Sequence, residues 1–576
     1  MTFTVSDTNP TVLSRAADAA LSAWRSTTLT RLASLAVFAG LIAFVLLTFR
    51  DYGISNDEPV QHTYGKLLWA WYESGFTDYR VFHYINLYLY GGLFDMIAVG
   101  LADHVALPVY ELRHLLSASF GLFGLFGVWR LGKLLGGEKA GIVATVLLAF
   151  TGMYGGAMFT HTKDVPFAAS MVWSLYFITR MAVNLPELPS WRVVAGLGLA
   201  IGCAFGLRVG GVFAVLYLGA TMVVGAVAFG DWRLFPRLAV RLLPAGILAY
   251  AIMAVTWPWS VLPPTNLFQA MGAFSNFSFD LHTLLNGQEL PIEQVPATYM
   301  SEYLLIKLPE ITLLGVLAAV PFAVAALLRT PKGERRRWLA YFPLALSLLV
   351  PIAFTLAERP PLYNGIRHFL FVLPSATLVA ALGLASLWRW SQSRSAALGF
   401  GVAMVASGLF MFNAVNFVRL HPYEYIAYNQ LVGGTAGANG RFEGDYWSAT
   451  LREATLNLRA SVEMEANPPA KPYLVAICAE TEQVEPYLGT KLKATEDWEE
   501  ADFMVTARNV GCDNVVPGMT YRTISREGVP LAMVIDLRAR HTPLYEPLPW
   551  DDDNDKDTPA VSFNGPGSVT VAKKGP

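Results

Sequence analysis

Long apolar segments alternate with short polar ones along most of the chain. Runs long enough to cross about 30 Å of hydrocarbon, roughly 17 to 25 residues, occur eleven times: near 31–49, 113–130, 140–158, 166–183, 193–208, 209–229, 242–257, 311–328, 339–356, 368–387 and 396–416. The pattern predicts an α-helical polytopic membrane protein with about 11 transmembrane helices. A twelfth run, 85–101, is interrupted by Asp95 and a Gly-Gly pair.

The basic residues decide how the twelfth run is interpreted. Cytoplasmic loops collect Lys and Arg, and six basic segments are present: the N-terminal segment, 130–139, 180–192, 231–241, 329–337 and 389–394. All six lie on one side only if 85–101 does not cross, so we expect a re-entrant or interfacial segment there. Everything from 417 onward is then extracytoplasmic, which predicts a multi-pass protein of the inner (plasma) membrane.

The chain after the last apolar run has a different pattern. β-rich segments at 472–478, 502–507 and 530–536 alternate with polar or helical stretches, which predicts a small C-terminal α/β domain. A disulfide between Cys478 and Cys512 in this domain is an open alternative. We expect four parts: a cytoplasmic N-terminal segment that is an uncleaved anchor, a transmembrane catalytic domain, a periplasmic α/β domain and a disordered acidic tail, at 1–30, 31–416, 417–548 and 549–576.

Composition narrows the class of protein. Hydrophobic residues make up 54% of the chain and charged residues 15%, and the mean hydropathy is +0.41, which excludes an ordinary soluble enzyme. The net charge of -2 and the scattered basic residues argue against a nucleic-acid partner. Membrane lipids are the expected surroundings.

The first outward loop carries paired carboxylates, Asp57 and Glu58, just beyond the first span. Such a pair suits a general base, a divalent-metal site or the cap of a surface helix. Apolar residues at helical spacing follow, Tyr64 among them, and predict an amphipathic helix on the membrane surface. The nearby aromatics are typical of an interfacial belt; they are Trp69, Trp71, Tyr72, Tyr79, Tyr84, Tyr88 and Tyr90.

Further charged residues lie on the same predicted side. The turn HTKDVP holds His161, Lys163 and Asp164, Arg208 ends the fifth span in GLRVGG, and Arg367-His368 begins the tenth. Charged groups at a membrane boundary mark either a functional site or snorkelling side chains. An arginine fork suits a phosphate, so Arg208 and Arg367 are candidate clamps for a lipid phosphate.

Two acids after the last span, Glu443 and Asp445, lie in a glycine- and aromatic-rich stretch. The stretch lacks the spacing of a nucleotide-binding loop. Glu443 and Asp445, together with His161 and Tyr64, are candidate substrate contacts. The outward loop 258–310 is long and polar, but no spacing within it identifies a site.

The order and common sidedness of these motifs resemble the GT-C superfamily of membrane glycosyltransferases. The likeness covers about 30–420: an Asp-Glu pair past the first span, a turn ending in Lys-Asp two spans later, a basic residue in GLR, and Arg-His before FLFVLP. Within the superfamily, the chain looks like the protein O-mannosyltransferase-like and aminoarabinose-transferase-like (glycosyltransferase family 39-like) branch.

The resemblance implies a sugar donor carried on a polyprenyl phosphate, a periplasmic acceptor (lipid, glycan or protein) and inversion at the anomeric carbon. It implies that Asp57 is the general base, with Glu58 and Asp164 as further catalytic residues. Lys163, Arg208, Arg367 and His368 would meet the donor phosphate. No cofactor is required, and a divalent metal held by Asp57, Glu58 and Asp164 is an open alternative.

Two other functions share this architecture. A polytopic transporter or lipid flippase also has many spans with polar residues, but the polar groups here collect on one face and the chain lacks paired, glycine-broken halves. A glycan ligase that uses a diphosphate-linked donor differs only in donor size, which the sequence does not measure.

Overall fold

The structure, a computed structural model, describes residues 12–275, 281–466, 469–508 and 518–539, with two short strands in the tail at 562–563 and 569–570. The rest of the predicted disordered tail 549–576 lies outside the described residues, as does Cys512. Cys478 is disulfide-bonded and Cys203 is free.

The eleven apolar runs all contain helix. Before residue 421 the described α-helices are α1 (Val12–Thr48), α2 (Asp57–Glu73), α3 (Leu93–Ala102), α4 (Val109–Gly136), α5 (Glu138–Ala149), α6 (Gly152–Gly155), α7 (Asp164–Asn184), α8 (Trp191–Phe205), α9 (Val212–Phe229), α10 (Leu234–Thr256), α11 (Asn266–Ser275), α12 (Tyr299–Lys307), α13 (Glu310–Arg329), α14 (Phe342–Glu358), α15 (Leu373–Arg394) and α16 (Ala396–Leu420). Short 3-10 segments, Val209–Gly211, Lys332–Ala340 and Arg367–Val372, precede α9, α14 and α15.

Seven helical segments of the described chain are long and apolar enough to cross a membrane. They are Thr28–Thr48, Val109–Gly136, Val209–Phe229, Leu234–Thr256, Glu310–Arg329, Arg367–Arg394 and Ala396–Leu420. An eighth span results if the pair Lys332–Ala340 and Phe342–Glu358, bent by 63°, crosses as one unit. The expected count of about 11 therefore stays a prediction.

The other three predicted spans differ from a long apolar helix for separate reasons. The run 140–158 is interrupted after Ala149, where α5 ends. Helix α8 has 15 residues, about 22 Å at 1.5 Å per residue, which is shorter than the hydrocarbon layer. Helix α7 lies in the middle of the bundle, and its composition includes the buried polar residues Ser170, Ser174 and Thr179.

Small residues bring neighbouring helices into close contact. A Cβ atom on Gly383 of α15 would lie 2.0 Å from the carbonyl oxygen of Gly315 on α13. A Cβ atom on Gly198 of α8 would lie 2.8 Å from the carbonyl oxygen of Ala245 on α10. Such contacts are typical of membrane helix pairs, because association in lipid depends on close backbone packing.

The segment 85–102 is not one continuous helix. Its break falls at Gly91 and Gly92, where the Gly92 N–H donates to the Thr256 carbonyl at 2.8 Å. A Cβ atom on Gly91 would lie 2.1 Å from the backbone of Gly206, so only glycine permits this approach. Helix α3, with 10 residues, is about 15 Å long. The re-entrant or interfacial placement of this segment stays a prediction.

Helix α2 is packed differently from the expected surface helix. Its residues Tyr64, Leu68 and Trp71 are buried against the segment 85–102 and Trp257. Two aromatics assigned to an interfacial belt, Trp71 and Tyr90, are therefore core residues. The helical spacing was interpreted correctly, but an apolar stripe does not reveal whether lipid or protein covers it.

The strands belong to a hairpin and a separate sheet. β1 (His282–Leu285) and β2 (Gln288–Pro291) pair within the loop 258–310. The five-stranded sheet contains β3 (Tyr473–Cys478), β4 (Leu492–Thr495), β5 (Phe503–Ala507), β6 (Met519–Arg526) and β7 (Val529–Asp536), and the tail strands are β8 (Ser562–Phe563) and β9 (Val569–Thr570).

The five-stranded sheet is mixed. Its order is β4-β3-β5-β7-β6, with β3 parallel to its two neighbours and β7 antiparallel to its own. α17 (Gly434–Ala438) precedes α18 (Leu451–Glu463), which packs on β5, β6 and β7. The strands predicted at 472–478, 502–507 and 530–536 are confirmed. β4 and β6 were missed because they lack a comparable apolar run.

The part of the chain after 420 contacts the first outward loop. The side-chain amide of Gln483 donates to the Ile54 carbonyl at 2.7 Å and to the Trp447 carbonyl at 3.1 Å. The Tyr52 hydroxyl donates to the carboxylate of Glu424 at 3.1 Å. The chain just before α2 is thus held by residues from the opposite end of the sequence.

Candidate functional site

Asp57 lies at the N-terminal end of α2 and contacts Arg367. Asn56 is the N-cap, so Asp57 is the first helical residue and not the cap. One carboxylate oxygen of Asp57 lies 3.6 Å from Arg367 Nη1, and the Asp57 side chain is 19% exposed.

Glu58 points away from Asp57 into a fully buried pocket. Its Oε2 accepts hydrogen bonds from the Ser55 N–H at 2.9 Å and the Ser55 hydroxyl at 3.1 Å, and lies 3.2 Å from His114 Nε2. Arg113, itself buried and paired with Asp95 at 2.9 Å, lies 3.8 Å from Glu58. In this arrangement Glu58 holds the start of α2.

The turn before α7 supplies a cation and an anion. Asp164 is paired with Arg208, which comes from the end of α8. Lys163 Nζ lies 4.5 Å from the centre of the Tyr90 ring, and the Arg208 guanidinium lies 5.6 Å from the same ring. Tyr90 reaches this position because Gly91 allows the approach to Gly206. Burial lowers the pKa of Lys163 to about 8, and nearby carboxylates, Asp57 first among them, oppose that shift.

Arg367 lies between two aromatic rings. Its guanidinium carbon is 4.6 Å from the ring centres of both Tyr363 and Trp447, and its side chain is 4% exposed. His368 contacts Tyr363 at 4.8 Å between ring centres, and its buried Nδ1 has no hydrogen-bond partner among the described residues. Stacking fixes the plane of the guanidinium, which can then present N–H donors in one direction.

His161 joins the turn before α7 to the C-terminal segment. Trp447 Nε1–H donates to His161 Nε2 at 2.9 Å, and the Tyr446 hydroxyl lies 2.7 Å from the same nitrogen. The proton of the neutral ring is therefore on Nδ1, which lies 3.2 Å from the Thr160 hydroxyl. Burial, with a further contribution from the Arg367 cation, lowers the pKa of His161 well below its usual value.

The structure brings the main predicted residues into one polar cluster, defined here as Asp57, Lys163, Asp164, Arg208 and Arg367. His368 and His161 border the cluster. Tyr64 is buried, and its hydroxyl donates to the Tyr90 carbonyl at 3.0 Å.

The two C-terminal acids have local partners. Glu443 accepts hydrogen bonds from the Thr283 hydroxyl at 2.6 Å and the Leu284 N–H at 2.9 Å, so it anchors the β1–β2 hairpin. Asp445 accepts hydrogen bonds from Tyr425 and from the backbone N–H groups of Ala449 and Thr450, just before α18. The substrate contacts expected of Glu443 and Asp445 stay predictions.

Three residues of the site were not assigned to it from the sequence. Tyr363 stacks on Arg367, Arg113 balances Glu58 and Asp95, and Tyr90 receives two cations on its ring. The glycine pair after Tyr90 was the one usable signal, since such a pair marks close backbone approach. Arg113 acts through contacts with residues distant in the chain, which local pattern does not reveal, whereas Tyr363 lies only four residues before Arg367 and was not considered as its partner.

Solved structures similar to the chain include two of ArnT from Cupriavidus metallidurans. One is in the apo state (TM-score 0.49, 14% identity, 88% of this chain and 98% of that chain covered), and one is bound to undecaprenyl phosphate (TM-score 0.47, 14% identity, 87% and 98% covered). The archaeal oligosaccharyltransferase AglB from Archaeoglobus fulgidus, in complex with an inhibitory peptide and a dolichol-phosphate, also matches (TM-score 0.44, 12% identity, 82% and 69% covered).

No family model and no curated protein matches the sequence. ArnT, an aminoarabinose transferase, and AglB are both GT-C membrane glycosyltransferases, the superfamily that the sequence motifs resemble. Because the TM-scores of these structures are below 0.5, their similarity supports no further conclusion about this chain.

The charge balance of the polar cluster indicates what it can bind. Three cations, Lys163, Arg208 and Arg367, face two carboxylates, Asp57 and Asp164, so the cluster carries a net charge of about +1 when all five are ionised. Within the described residues no three His, Cys, Asp or Glu side chains form a group that could hold a metal ion. Asp57, Glu58 and Asp164 do not form such a group, because the Glu58 side chain faces Arg113 and His114 and not the polar cluster.

Proposed function

We propose that this chain is an integral-membrane glycosyltransferase. It moves a sugar from a polyprenyl-phosphate-linked donor to an acceptor on the extracytoplasmic side, with inversion at the anomeric carbon. The observation that carries the proposal is the cluster of three cations and two carboxylates at one end of the apolar helices, in which Arg367 lies 3.6 Å from the partly exposed Asp57 and Arg208 pairs with Asp164. The likeness of motifs noted in the sequence points in the same direction.

The cations suit a leaving phosphate. Lys163, Arg208 and Arg367 come from three separate segments, and aromatic rings hold all three in place. Negative charge develops on the phosphate oxygen as the bond to the sugar breaks, and preorganised cations stabilise that charge in a partly dry site. An apolar bundle beside the cluster suits a donor whose carrier is a lipid.

Asp57 is the group best suited to be the general base. Its side chain is 19% exposed whereas that of Asp164 is 4% exposed, and Asp164 is paired directly with Arg208. The acceptor hydroxyl gives its proton to Asp57 as its oxygen forms a bond to the anomeric carbon. The bond from that carbon to the phosphate oxygen breaks, and its electron pair stays on the phosphate. A direct displacement of this kind inverts the anomeric centre.

The first test is the affinity of the purified protein for undecaprenyl phosphate. Arg208→Gln removes one cation, and we expect binding to weaken about 10- to 100-fold, the value of a hydrogen bond to a charged group. The matched control is Arg241→Gln on α10, since Arg241 stacks on Trp191 at 3.6 Å, away from the cluster. Equal affinity in both variants would contradict the proposal.

Removal of Arg208 also leaves Asp164 buried without its partner. The double variant Arg208→Gln with Asp164→Asn removes the pair together, so its thermal stability should approach that of the wild type while lipid binding stays weak. If binding recovers along with stability, Arg208 supports the fold and does not bind the donor.

Release of polyprenyl phosphate from a sugar donor in detergent micelles separates a transferase from a transporter. A transferase turns over without two sealed compartments, whereas a transporter or flippase needs them. Turnover of a diphosphate-linked donor, with a monophosphate donor inert, would instead identify a glycan ligase.

A further inference from the structure

Arg367 follows a turn whose backbone is unusual. Asn364 and Gly365, just before it, both have positive φ, at 55° and 67°. Asparagine and glycine are the residues that adopt this conformation most readily. Tyr363, whose ring stacks on Arg367, lies in the same turn. The positions of the guanidinium and of one of its two aromatic neighbours therefore depend on what holds this turn.

A hydrogen bond from α12 holds the backbone of the turn. The Gly365 N–H donates to the Tyr299 hydroxyl at 3.0 Å, and Tyr299, the first residue of α12, is fully buried. A buried N–H group without an acceptor is costly, so this bond favours the conformation of the turn that the structure shows. Tyr299 thus holds the backbone two residues before Arg367.

The Tyr299 hydroxyl belongs to a hydrogen-bonded chain that ends at Glu443. Thr283 Oγ1 lies 2.8 Å from the Tyr299 hydroxyl and 2.6 Å from Glu443 Oε1. A carboxylate only accepts, so the Thr283 hydroxyl donates to Glu443 and its oxygen accepts from Tyr299. Every donor from Gly365 to Glu443 points the same way, and hydrogen bonds aligned in this manner polarise and strengthen one another.

The β1–β2 hairpin packs on the same turn through apolar side chains. Leu281 and Ile292 flank the hairpin and form a buried cluster with Tyr363. The Ile292 N–H donates to the Leu281 carbonyl at 3.0 Å, which joins the two ends of the hairpin where they contact Tyr363. The long outward loop 258–310, in which no spacing identified a site, therefore supports the ring that stacks on Arg367.

One short segment after the last span secures both rings beside Arg367. Trp447 stacks on the guanidinium directly. Glu443, four residues earlier, fixes the hairpin through Thr283, and the hairpin contacts Tyr363. The proposed transfer reaction gives Glu443 no role of its own. Its hydrogen bonds lead to the turn before Arg367, and that turn is where its effect on the reaction is expected.

We propose that Tyr299, Thr283 and Glu443 are positioning residues for Arg367. They hold the turn before Arg367 so that its guanidinium stays between two rings and presents its donors to the phosphate of the lipid-linked sugar. The inference rests on the proposed function for the identity of that ligand, whereas the hydrogen-bonded chain does not. A misplacement of about 1 Å can cost about 10²-fold in rate, so a fixed Arg367 matters for turnover as well as for binding.

Tyr299→Phe tests this role against a matched variant, Tyr303→Phe. Each removes one hydroxyl of α12 and two hydrogen bonds, because Tyr303 accepts from the Glu443 N–H at 3.2 Å and donates to the Leu284 carbonyl at 2.6 Å. The thermal unfolding temperatures of the two variants should therefore fall by similar amounts. Affinity for undecaprenyl phosphate should fall about 3- to 10-fold in Tyr299→Phe, the size of one neutral hydrogen bond, and stay within about twofold of the wild type in Tyr303→Phe.

Two further measurements separate positioning from general support of the fold. In an Arg367→Gln background, Tyr299→Phe should weaken binding no further, because both substitutions act through the same guanidinium. Amide hydrogen exchange of the segment 363–369 should be faster in Tyr299→Phe, Thr283→Val and Glu443→Ala. It should be unchanged in Thr283→Ser, which keeps the hydroxyl of the hydrogen-bonded chain.

Unchanged exchange of this segment in Tyr299→Phe and Thr283→Val would overturn the proposal. A loss of binding in Tyr299→Phe that is equally large with and without Arg367 would also overturn it. Wild-type binding by Arg367→Gln would contradict the phosphate role of Arg367, which belongs to the proposed function, and the exchange result would still decide whether the chain to Glu443 holds the turn. Thr283→Val keeps the shape of the side chain, so the test stands even if Tyr299→Phe fails to fold.

Discussion

Replacing Asp57 with asparagine separates catalysis from donor binding. The Asp57 carboxylate lies 3.6 Å from Arg367, and at an effective dielectric constant of about 20 their gross attraction is roughly 5 kcal/mol. The Asp57→Asn substitution would remove that attraction and raise the net charge of the polar cluster from about +1 to about +2. Arg367 would then be free to attract the donor phosphate.

We therefore expect opposite effects on the two measurements. Turnover of a polyprenyl-phosphate sugar should fall about 10²- to 10⁴-fold, the usual contribution of a general base, which corresponds to roughly 3 to 5 kcal/mol in the barrier. Affinity for the donor should stay equal or increase. The assay combines steady-state release of polyprenyl phosphate with equilibrium binding of the donor to the same preparation.

The matched control is Asp51→Asn. Asp51 lies in the same loop and is half exposed, but its carboxylate contacts His421 at 3.2 Å and not the polar cluster. Turnover by this control should stay within about twofold of the wild type, as for most surface substitutions. If Asp57→Asn loses donor binding and turnover equally, or keeps turnover within about tenfold of the wild type, Asp57 is not the base.

Three further predictions follow from the same contacts. Because burial lowers the pKa of Lys163 to about 8, its ammonium is charged below that pH and neutral above it. Donor affinity should therefore fall as the pH rises from about 7 to about 9. Lys163→Arg should remove that fall, and binding titrations across this pH range measure both. Arg113→Met leaves Glu58 and Asp95 buried without their cation and should destabilise the protein by about 3–5 kcal/mol, seen as a lower thermal unfolding temperature; an unchanged temperature would show that the Arg113 ion pairs do not stabilise the fold. Gly91→Ala places a Cβ atom 2.1 Å from the Gly206 backbone and should weaken donor binding by displacing Tyr90, whereas Gly219→Ala, with open space around it, should bind like the wild type.

Much of the candidate site was named from the sequence because its charged residues border apolar runs on one predicted side, opposite the six basic segments. Asp57, Lys163, Asp164, Arg208 and Arg367 were all named and do converge. The order of apolar runs restricts where their ends can meet, since a span returns the chain to one of two surfaces. Sparse charges in an apolar chain are therefore more informative than the same residues in a soluble protein.

The division of roles between adjacent residues could not be obtained in this way. Asp57 and Glu58 are neighbours, but a helix turns by about 100° per residue, so one faces the cluster and the other faces Arg113 and His114. Asp445 was likewise named for its charge, although its carboxylate caps the turn before α18. The contacts of Glu58 with Arg113 and His114 join segments far apart in the chain, whereas Asp445 is held mainly by the backbone N–H groups that follow it.

The count of about 11 spans is the part of the sequence interpretation that stays a prediction. Hydropathy measures how apolar a run is. A helix buried inside a bundle can contain more polar residues than a helix that faces lipid. Helices α5, α7 and α8 are packed inside the protein or are short. They follow the rules of a protein core as much as those of a membrane.

The position of Trp447 in the sequence determines when, during synthesis, the polar cluster can be complete. Its ring covers one side of Arg367 and its N–H holds His161, yet it is synthesised after every predicted span. During translation the nascent chain contains Asp57, Lys163 and Arg208 long before the Trp447 ring is synthesised. The polar cluster is therefore complete only after the ribosome has passed the helical bundle. A truncated chain that ends before residue 447 would contain the charged residues but lack the Trp447 ring that stacks on Arg367.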